Sequence, residues 1–393
     1  MVYARAYDFG TRENSRGITV DGSGNVISAG GYNIGNNSDD ALVVKFDAGG
    51  SVLWARTWSR ALENGYQVTC DASGNIYTFG ATYAPWYAFV SKYDPAGNRL
   101  WTQGWSRGGT GQAFTGVVDA SGNIYVAGYE GEDADLIVFK LDNAGNLIWD
   151  RVWATAGNDR AAGITLAAGA VYVCGLTSSP GDVDRNALIL KIDTNGNLIW
   201  QRTWGGIGND QAAGVAADAQ GNVFVSGLTE SFGSGASDAL LLEYTASGAL
   251  ISQKAWGGTG TDGAEGVSIS ADGRIYLAGD APNNAGSWQN VVGSSADPGV
   301  PLVAAGGTVS PLSGTDGSPT VTETSFAGTV DAGGGGQDAL VLALGSCSAD
   351  FVTCPFDPQD VDCNGIVDIL DVVKTINVAF RGQPATSPCC RFQ

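Results

Sequence analysis

Residues 116–153 read GVVDASGNIYVAGYEGEDADLIVFKLDNAGNLIWDRVW. Four short runs stand out, GVVD, NIYVAG, DLIVFKLD and LIWDRVW, each bounded by Gly, Asn or Asp. Short apolar or alternating runs between such residues are the pattern of strands joined by turns. The links after the first and third runs, ASGN and NAGN, are short and carry the Gly that a tight hairpin needs. The link after the second, YEGEDA, is longer and has no turn logic of its own. One unit is therefore a four-stranded antiparallel meander.

Working outward, the unit repeats. A Gly closes the second strand at Gly30, Gly80, Gly128, Gly175, Gly227 and Gly279. The third strand recurs at 40–47, 87–94, 135–142, 186–193 and 238–244. The fourth carries paired tryptophans at Trp54/Trp58, Trp101/Trp105, Trp149/Trp153 and Trp200/Trp204, with Trp256 alone in the fifth unit. Strand alternation puts both members of a pair on one side, so they suit packing between units better than ligand stacking. A period near fifty residues with four strands each predicts an all-β protein of the β-propeller class.

Counting on, Gly328 and DALVLAL at 338–344 keep the spacing, and Gly306-Gly307 matches the Gly-Gly after earlier fourth strands. The expectation is a degraded sixth unit followed by a seventh. Tyr3 to Tyr7, spaced like the Trp pair, would supply the missing fourth strand and close the ring. The alternative is six blades with a long insertion over 280–337. The domain division is 1–345 for the propeller and 346–393 for a small C-terminal module.

The Asp-x-x-Gly-Asn turn, the Asp-Ala-(Leu/Phe) third strand and the Trp-Gly-Gly exit resemble the bacterial SBBP-type seven-bladed propeller repeat, over roughly 1–345. The resemblance implies secretion and binding or scaffolding rather than a reaction.

Composition bounds the chemistry. Of 393 residues 59 are Gly, and 20 basic against 40 acidic residues give a net charge of −20. That charge argues against nucleic acid and anionic membrane and suits cations. There are 0 His, which removes His-based triads, imidazole bases and His-ligated metals. No apolar stretch is long enough to span a bilayer. Five cysteines, Cys347, Cys354, Cys363, Cys389 and Cys390, crowd the end of the chain, as in a stapled extracellular module. Cys70 and Cys174 sit in apolar runs and read as buried thiols. The expected compartment is extracellular or the cell surface, with a leader absent from this chain.

Residues 360–371 read DVDCNGIVDILD. Asp360, Asp362 and Asn364 fall at loop positions one, three and five, with Gly365 at six. Ile366 would offer its carbonyl, and Asp368 and Asp371 complete the spacing. Alternate oxygen donors about a Gly turn are what Ca²⁺ requires, so calcium is the expected cofactor. A following helix would place Ile369, Val373, Ile376 and Phe380 on one apolar face. With Asp at the last position the loop resembles a dockerin loop more than a sensor EF-hand. Dockerins carry two such loops and this chain shows one. The resemblance implies docking to a cohesin-like protein or a cell-surface assembly.

Of the two faces of such a repeat, the turns after strands one and three barely vary, while the other links do (ATYAPWY, YEGEDA, LTSSPGDVDRN, LTESFGSGASD). Variable loops on a constant frame are the default binding face. Tyr83, Trp86, Tyr87 and Tyr129 lie there, with Glu130 and Asp133. They could stack sugar rings or anchor a protein, or simply cover a blade edge. A recurring polar position (Glu13, Asn64, Asp159, Asp210, Asp262) could form an acidic mouth, or each carboxylate could cap its own loop.

The favoured function is a non-catalytic scaffold binding a polysaccharide or protein on the variable face. Two alternatives stand: a glycan hydrolase or lyase using carboxylates such as Glu130 with Asp133, and a self-assembling subunit of an extracellular filament or coat. No residue is assigned a catalytic role.

Overall fold

The computed structural model describes residues 5–8, 12–33, 39–60, 62–83, 86–131, 133–178, 184–270, 273–281, 286–319, 322–325 and 339–344. Within them every regular element is a strand. A first strand, β1 (Arg5–Asp8), precedes the repeats. The first sheet is β2 (Arg12–Val20), β3 (Val26–Asn33), β4 (Asp39–Phe46) and β5 (Val52–Ser59). The second is β6 (Glu63–Cys70), β7 (Ile76–Tyr83), β8 (Trp86–Tyr93) and β9 (Arg99–Ser106). The third is β10 (Gly111–Val118), β11 (Ile124–Glu130), β12 (Asp135–Leu141) and β13 (Leu147–Trp153). The fourth is β14 (Asp159–Ala167), β15 (Ala170–Ser178), β16 (Arg185–Asp193) and β17 (Leu198–Gly205). The fifth is β18 (Asp210–Ala217), β19 (Val223–Thr229), β20 (Asp238–Tyr244) and β21 (Leu250–Gly257). Each is an antiparallel meander in chain order, as the repeat predicts.

The turn chemistry is local and repeated. In the turn after β10, Asp119 accepts from the amides of Ser121 and Asn123, both at 2.9 Å, and from the Asn123 side chain at 2.8 Å. Gly122 supplies the positive φ (80°) that closes it. The same cage forms at Asp21, Asp71, Asp94, Asp142, Asp193 and Asp218. At Asp94 the bond from Asn98 holds the carboxyl below the usual range. One face is constant because its sequence is a hydrogen-bonding device.

The recurring Gly of the second strand has a different cause. Every first strand carries a β-bulge opposite it, at Arg16, Tyr66, Phe114, Ala162, Ala213 and Glu265. The bulge pushes a carbonyl oxygen onto the partner strand. A Cβ on Gly128 would lie 1.8 Å from the Gln112 oxygen, and one on Gly227 1.9 Å from that of Gln211. Only Gly admits that approach.

Each first strand packs on the preceding sheet, β6 on β2 to β4, β10 on β6 to β8, and so on to β22 (Gly263–Ile269) on β18 to β20. The tryptophans fill these seams. Trp105 stacks on Phe139 of the next sheet at 5.5 Å, and Trp58, Trp105, Trp153 and Trp204 are fully buried. Their outer partners reach the next unit's turn: Trp149 Nε1 donates to the Thr194 carbonyl and Trp200 Nε1 to that of Ala246. The pairs are mortar between sheets, as alternation indicated.

Beyond β22 the chain departs from the expected sixth and seventh units. β23 (Ile275–Asp280) pairs with β22 and, on its other side, with Ala339–Leu344. Ala339–Leu344, expected as the third strand of a seventh unit, is thus the third strand of the sheet that begins at Gly263. The intervening chain forms five short strands: β24 (Ser287–Asn290), β25 (Ser294–Ala296), β26 (Thr308–Pro311), β27 (Thr315–Gly317) and β28 (Thr322–Ser325). Ala339–Leu344 is β29. β24 pairs with β21, β25 with β17, Val303 bridges Val152 of β13, β26 pairs with β9, and β27 with β5. Residues 287–317 are therefore a belt that runs back over the outer strands of the fifth to the first sheet. It ends with β28 on β1, which was expected instead in the last blade.

The physical reason lies in the segment's sequence. It lacks strand-length apolar runs that could bury two faces, but it has Gly where it crosses Trp58, Trp105, Trp204 and Trp256, with Val300 and Leu302 packed against the cluster that holds Trp153. A Cβ on Gly307 would meet the Trp105 ring at 2.2 Å, and one on Gly293 that of Trp204 at 2.4 Å. The Gly306 and Gly307 amides donate to Asp150 at 3.2 and 2.6 Å, and Arg99 pairs with Asp316 at 2.5 Å. Among the described residues the result is six sheets of antiparallel strands in a propeller-like arrangement, plus the β1–β28 pair. The expected calcium loop (Asp360, Asp362, Asn364, Ile366, Asp368 and Asp371) and the five late cysteines lie outside them. Cys174 is buried, and burial pushes its thiol up to about 12; Cys70 is half-buried.

Candidate ligand-binding face

The bulges that demand Gly on the second strand also turn one residue per sheet out of the ladder on the first. In sheets one to three these are Arg16, Tyr66 and Phe114; in four to six, Ala162, Ala213 and Glu265. The large ones meet. Tyr66 and Phe114 pack edge to face at 5.2 Å, and Phe114 meets Tyr129 of β11 at 5.2 Å. The Tyr66 hydroxyl bonds that of Tyr83 at 2.5 Å and donates to Gln112 Oε1 at 3.2 Å. Tyr83 in turn packs against Trp86 at 4.4 Å. Five half-buried aromatic residues thus form one wall across sheets two and three, at the end of the strands where the variable links lie. Burial and the bond to Tyr83 push the Tyr66 hydroxyl well above its usual range, so it serves as a neutral hydrogen-bonding group.

Two guanidiniums flank the wall. Arg16 lies 5.1 Å over the Tyr66 ring, and Arg160, at the start of β14, 4.6 Å over that of Tyr129. Such contacts are electrostatic and leave the edge N–H groups of the guanidinium available.

The residues nominated from sequence divide. Tyr83, Trp86 and Tyr129 come together in the wall. Tyr87 does not: it packs beside Trp58 and Phe89 in the seam between the first and second sheets, under Arg60 at 5.5 Å. Glu130 is 2% exposed and ion-paired to Arg107 at 2.5 Å, with Asp135 also 3.8 Å from that arginine. Burial pushes Glu130 upward despite the pairing. Asp133 is exposed on the link.

Asp159, Asp210 and Asp262 are 0%, 0% and 4% exposed. Asp159 accepts from the Thr155 amide (2.6 Å) and the Thr177 hydroxyl (2.5 Å). Asp210 accepts from the Gly206 amide (2.8 Å) and the Ser231 hydroxyl (2.6 Å), and Asp262 from the Gly258 amide (3.0 Å). Each staples its own link, the second of the two roles the sequence allowed. The register also corrects one member of that series. Glu63, opposite Thr82, holds the place of Asp159, opposite Thr177; Asn64 is one residue further on.

Arg16, Tyr66, Phe114 and Arg160 were missed by a reading that looked for function only in links. A signal was present. The frame Asp-x-Ala-x-Gly-(Ile/Val) recurs at 159–164, 210–215 and 262–267, and its second x is the bulge residue. That place is Ala, Ala and Glu there, but Arg and Tyr in the matching stretches 13–18 and 63–68. One variable position inside a constant frame marks a surface free to differ.

No known protein-family model matches the chain, and no curated protein matches it. Solved structures resemble it at low identity. Sqt1 from Chaetomium thermophilum is 11% identical with a TM-score of 0.40, covering 76% of this chain and 88% of its own. A catalytically inactive virginiamycin B lyase from Staphylococcus aureus, with quinupristin, is 11% identical with a TM-score of 0.43, covering 73% and 87%. An exo-β-1,3-galactanase from Clostridium thermocellum is 13% identical with a TM-score of 0.34, covering 70% and 72%. At this distance the likenesses carry nothing about activity.

Proposed function

We propose that this protein is a six-bladed, SBBP-like β-propeller acting as a non-catalytic extracellular scaffold, and that it holds a glycan on the aromatic wall. The six-blade count is supported by the pairing of β29 with β23 and by the belt that replaces a further unit. The observation that carries the binding role is the continuous run of Trp86, Tyr83, Tyr66, Phe114 and Tyr129. Rings held by one another lose little freedom on binding, and sugar faces stack on such platforms. A binding rather than hydrolytic role is favoured because the carboxylates beside the wall are committed, Glu130 to Arg107 and Asp159 to its link. The calcium loop of 360–371 would dock the scaffold to a cohesin-like protein or a surface assembly, calcium organising the four carboxylates that otherwise repel one another.

The test is retention of the full chain on immobilised polysaccharides, beside a Tyr66→Ala/Tyr129→Ala variant of matched stability. Retention on at least one polysaccharide, lost in the variant, is the expected result. Undiminished retention of the variant would remove the wall from the function, and release of reducing sugar by the wild type would replace the scaffold with an enzyme.

A further inference from the structure

Most cations of the described residues are used internally. Lys45 pairs with Asp21, Arg99 with Asp316, Arg107 with Glu130, and Arg202 approaches Asp297. Arg56 and Arg151 are spent on turn carbonyls of the next sheet. Arg16 and Arg160 are the contrast. Both are exposed, both lie on rings of the same wall, and among the described residues neither has a carboxylate partner. In a chain of net charge −20, acids are abundant and two unpaired arginines on one surface are a local reversal of sign.

Their placement specifies a chemistry. Each guanidinium lies over a ring of the wall, 5.1 Å from Tyr66 and 4.6 Å from Tyr129, so it is placed beside the aromatic surface before a ligand arrives. A guanidinium fork matches a carboxylate with two parallel hydrogen bonds. Between the forks runs the wall of Tyr66, Phe114 and Tyr129, with Tyr66 edge-on to Phe114 and Phe114 tilted 47° to Tyr129. The bulge positions that follow are Ala162 and Ala213, which add no bulk.

We propose that the ligand is an acidic polysaccharide, a chain of uronic acid units that packs its sugar rings against the wall centred on Phe114 while carboxylates of separate units pair with Arg16 and Arg160. This rests on the glycan-binding reading above and adds the charge of the ligand. A neutral glycan would cover the aromatic faces but leave both forks to water. A short acidic peptide would satisfy the forks but bring no sugar ring to the aromatic wall between them.

The experiment is isothermal titration of the full chain with hexamers of galacturonate, guluronate and glucuronate, and with cello- and maltohexaose as neutral probes. At least one acidic hexamer binds tighter than both neutral ones, by about tenfold for each fork engaged. Arg16→Gln/Arg160→Gln abolishes that preference, so that acidic and neutral hexamers bind alike, while leaving the melting temperature in place. Arg16→Lys/Arg160→Lys retains part of it, since lysine keeps the charge without the fork. Raising the salt concentration narrows the gap. Neutral hexamers binding as tightly as every acidic one, or an undiminished preference in the double Gln variant, would overturn the acidic ligand and leave glycan binding standing. No binding by any hexamer, acidic or neutral, would overturn both.

Discussion

Asp238→Asn is expected to stabilise the protein at neutral pH and to do nothing at acid pH. The Asp238 side chain is 1% exposed. Its Oδ2 accepts from the amides of Ser234 (3.0 Å) and Gly235 (3.1 Å), while its Oδ1 has no hydrogen-bond partner. The Asp262 carboxylate faces the same space: a Cβ on Gly257 would sit 2.1 Å from Asp238 Oδ1 and 2.8 Å from Asp262 Oδ2. The preceding unit has the same geometry, with Asn186 Oδ1 at 2.1 Å and Asp210 Oδ2 at 2.8 Å from a Cβ on Gly205. There an amide replaces one of the two carboxyls. Burial pushes the Asp238 carboxyl above its usual range, against the two amide bonds and helped by the Asp262 charge.

The sign of the pH effect follows. A carboxyl with a raised folded-state pKa binds its proton more tightly in the native protein than in the unfolded chain, where it titrates near about 3.9. Native stability is therefore fully present below that value and falls as pH rises toward and through the folded-state pKa. Asparagine is neutral throughout and turns the orphan acceptor into a donor facing Asp262. An unpaired buried polar atom costs about 1–3 kcal/mol, so the gain at pH 8 is about 1–2 kcal/mol, shrinking toward zero by pH 4. Urea unfolding followed by tryptophan fluorescence at pH 4, 6 and 8 measures it. Asn186→Asp is the reciprocal change and destabilises by a similar amount at pH 8. A loss of stability in Asp238→Asn at pH 8, or an equal gain at pH 4 and pH 8, refutes the argument.

Gly128→Ala forces a Cβ to within 1.8 Å of the Gln112 oxygen and costs about 3 kcal/mol or more, read as a lower urea midpoint. Asp150→Ala removes the acceptor shared by Trp105 Nε1 and the Gly306 and Gly307 amides. It costs about 2–4 kcal/mol and opens the belt, seen as faster protease cleavage within 287–317. Chelating calcium with EGTA lowers the melting temperature or changes the assembly state of the full chain, and Asp360→Ala/Asp362→Ala abolishes that response. An EGTA effect that survives the double variant would move the metal away from 360–371.

Five units were legible because each strand there brings its own apolar run and each turn its own Asp, Gly and Asn, so local chemistry and long-range packing agree. The sixth was misread where they part. Gly306 and Gly307 keep the repeat's spacing, but Gly306 answers to a positive φ of 71° and Gly307 to contact with Trp105, a partner about two hundred residues earlier that no local pattern reveals. The same Gly residue type answers to a turn at Gly122, a bulge at Gly128 and an indole at Gly307. Spacing alone therefore could not tell a blade from a belt. The binding face was half legible for a related reason. Tyr83, Trp86 and Tyr129 stand in or beside variable links, where function is usually sought, whereas Tyr66 and Phe114 sit inside first strands and face outward only because a bulge shifts the ladder at that residue. A bulge is written in the relation between two strands. Its trace in the sequence is the recurring second-strand Gly, which makes room for the carbonyl oxygen that the bulge pushes across.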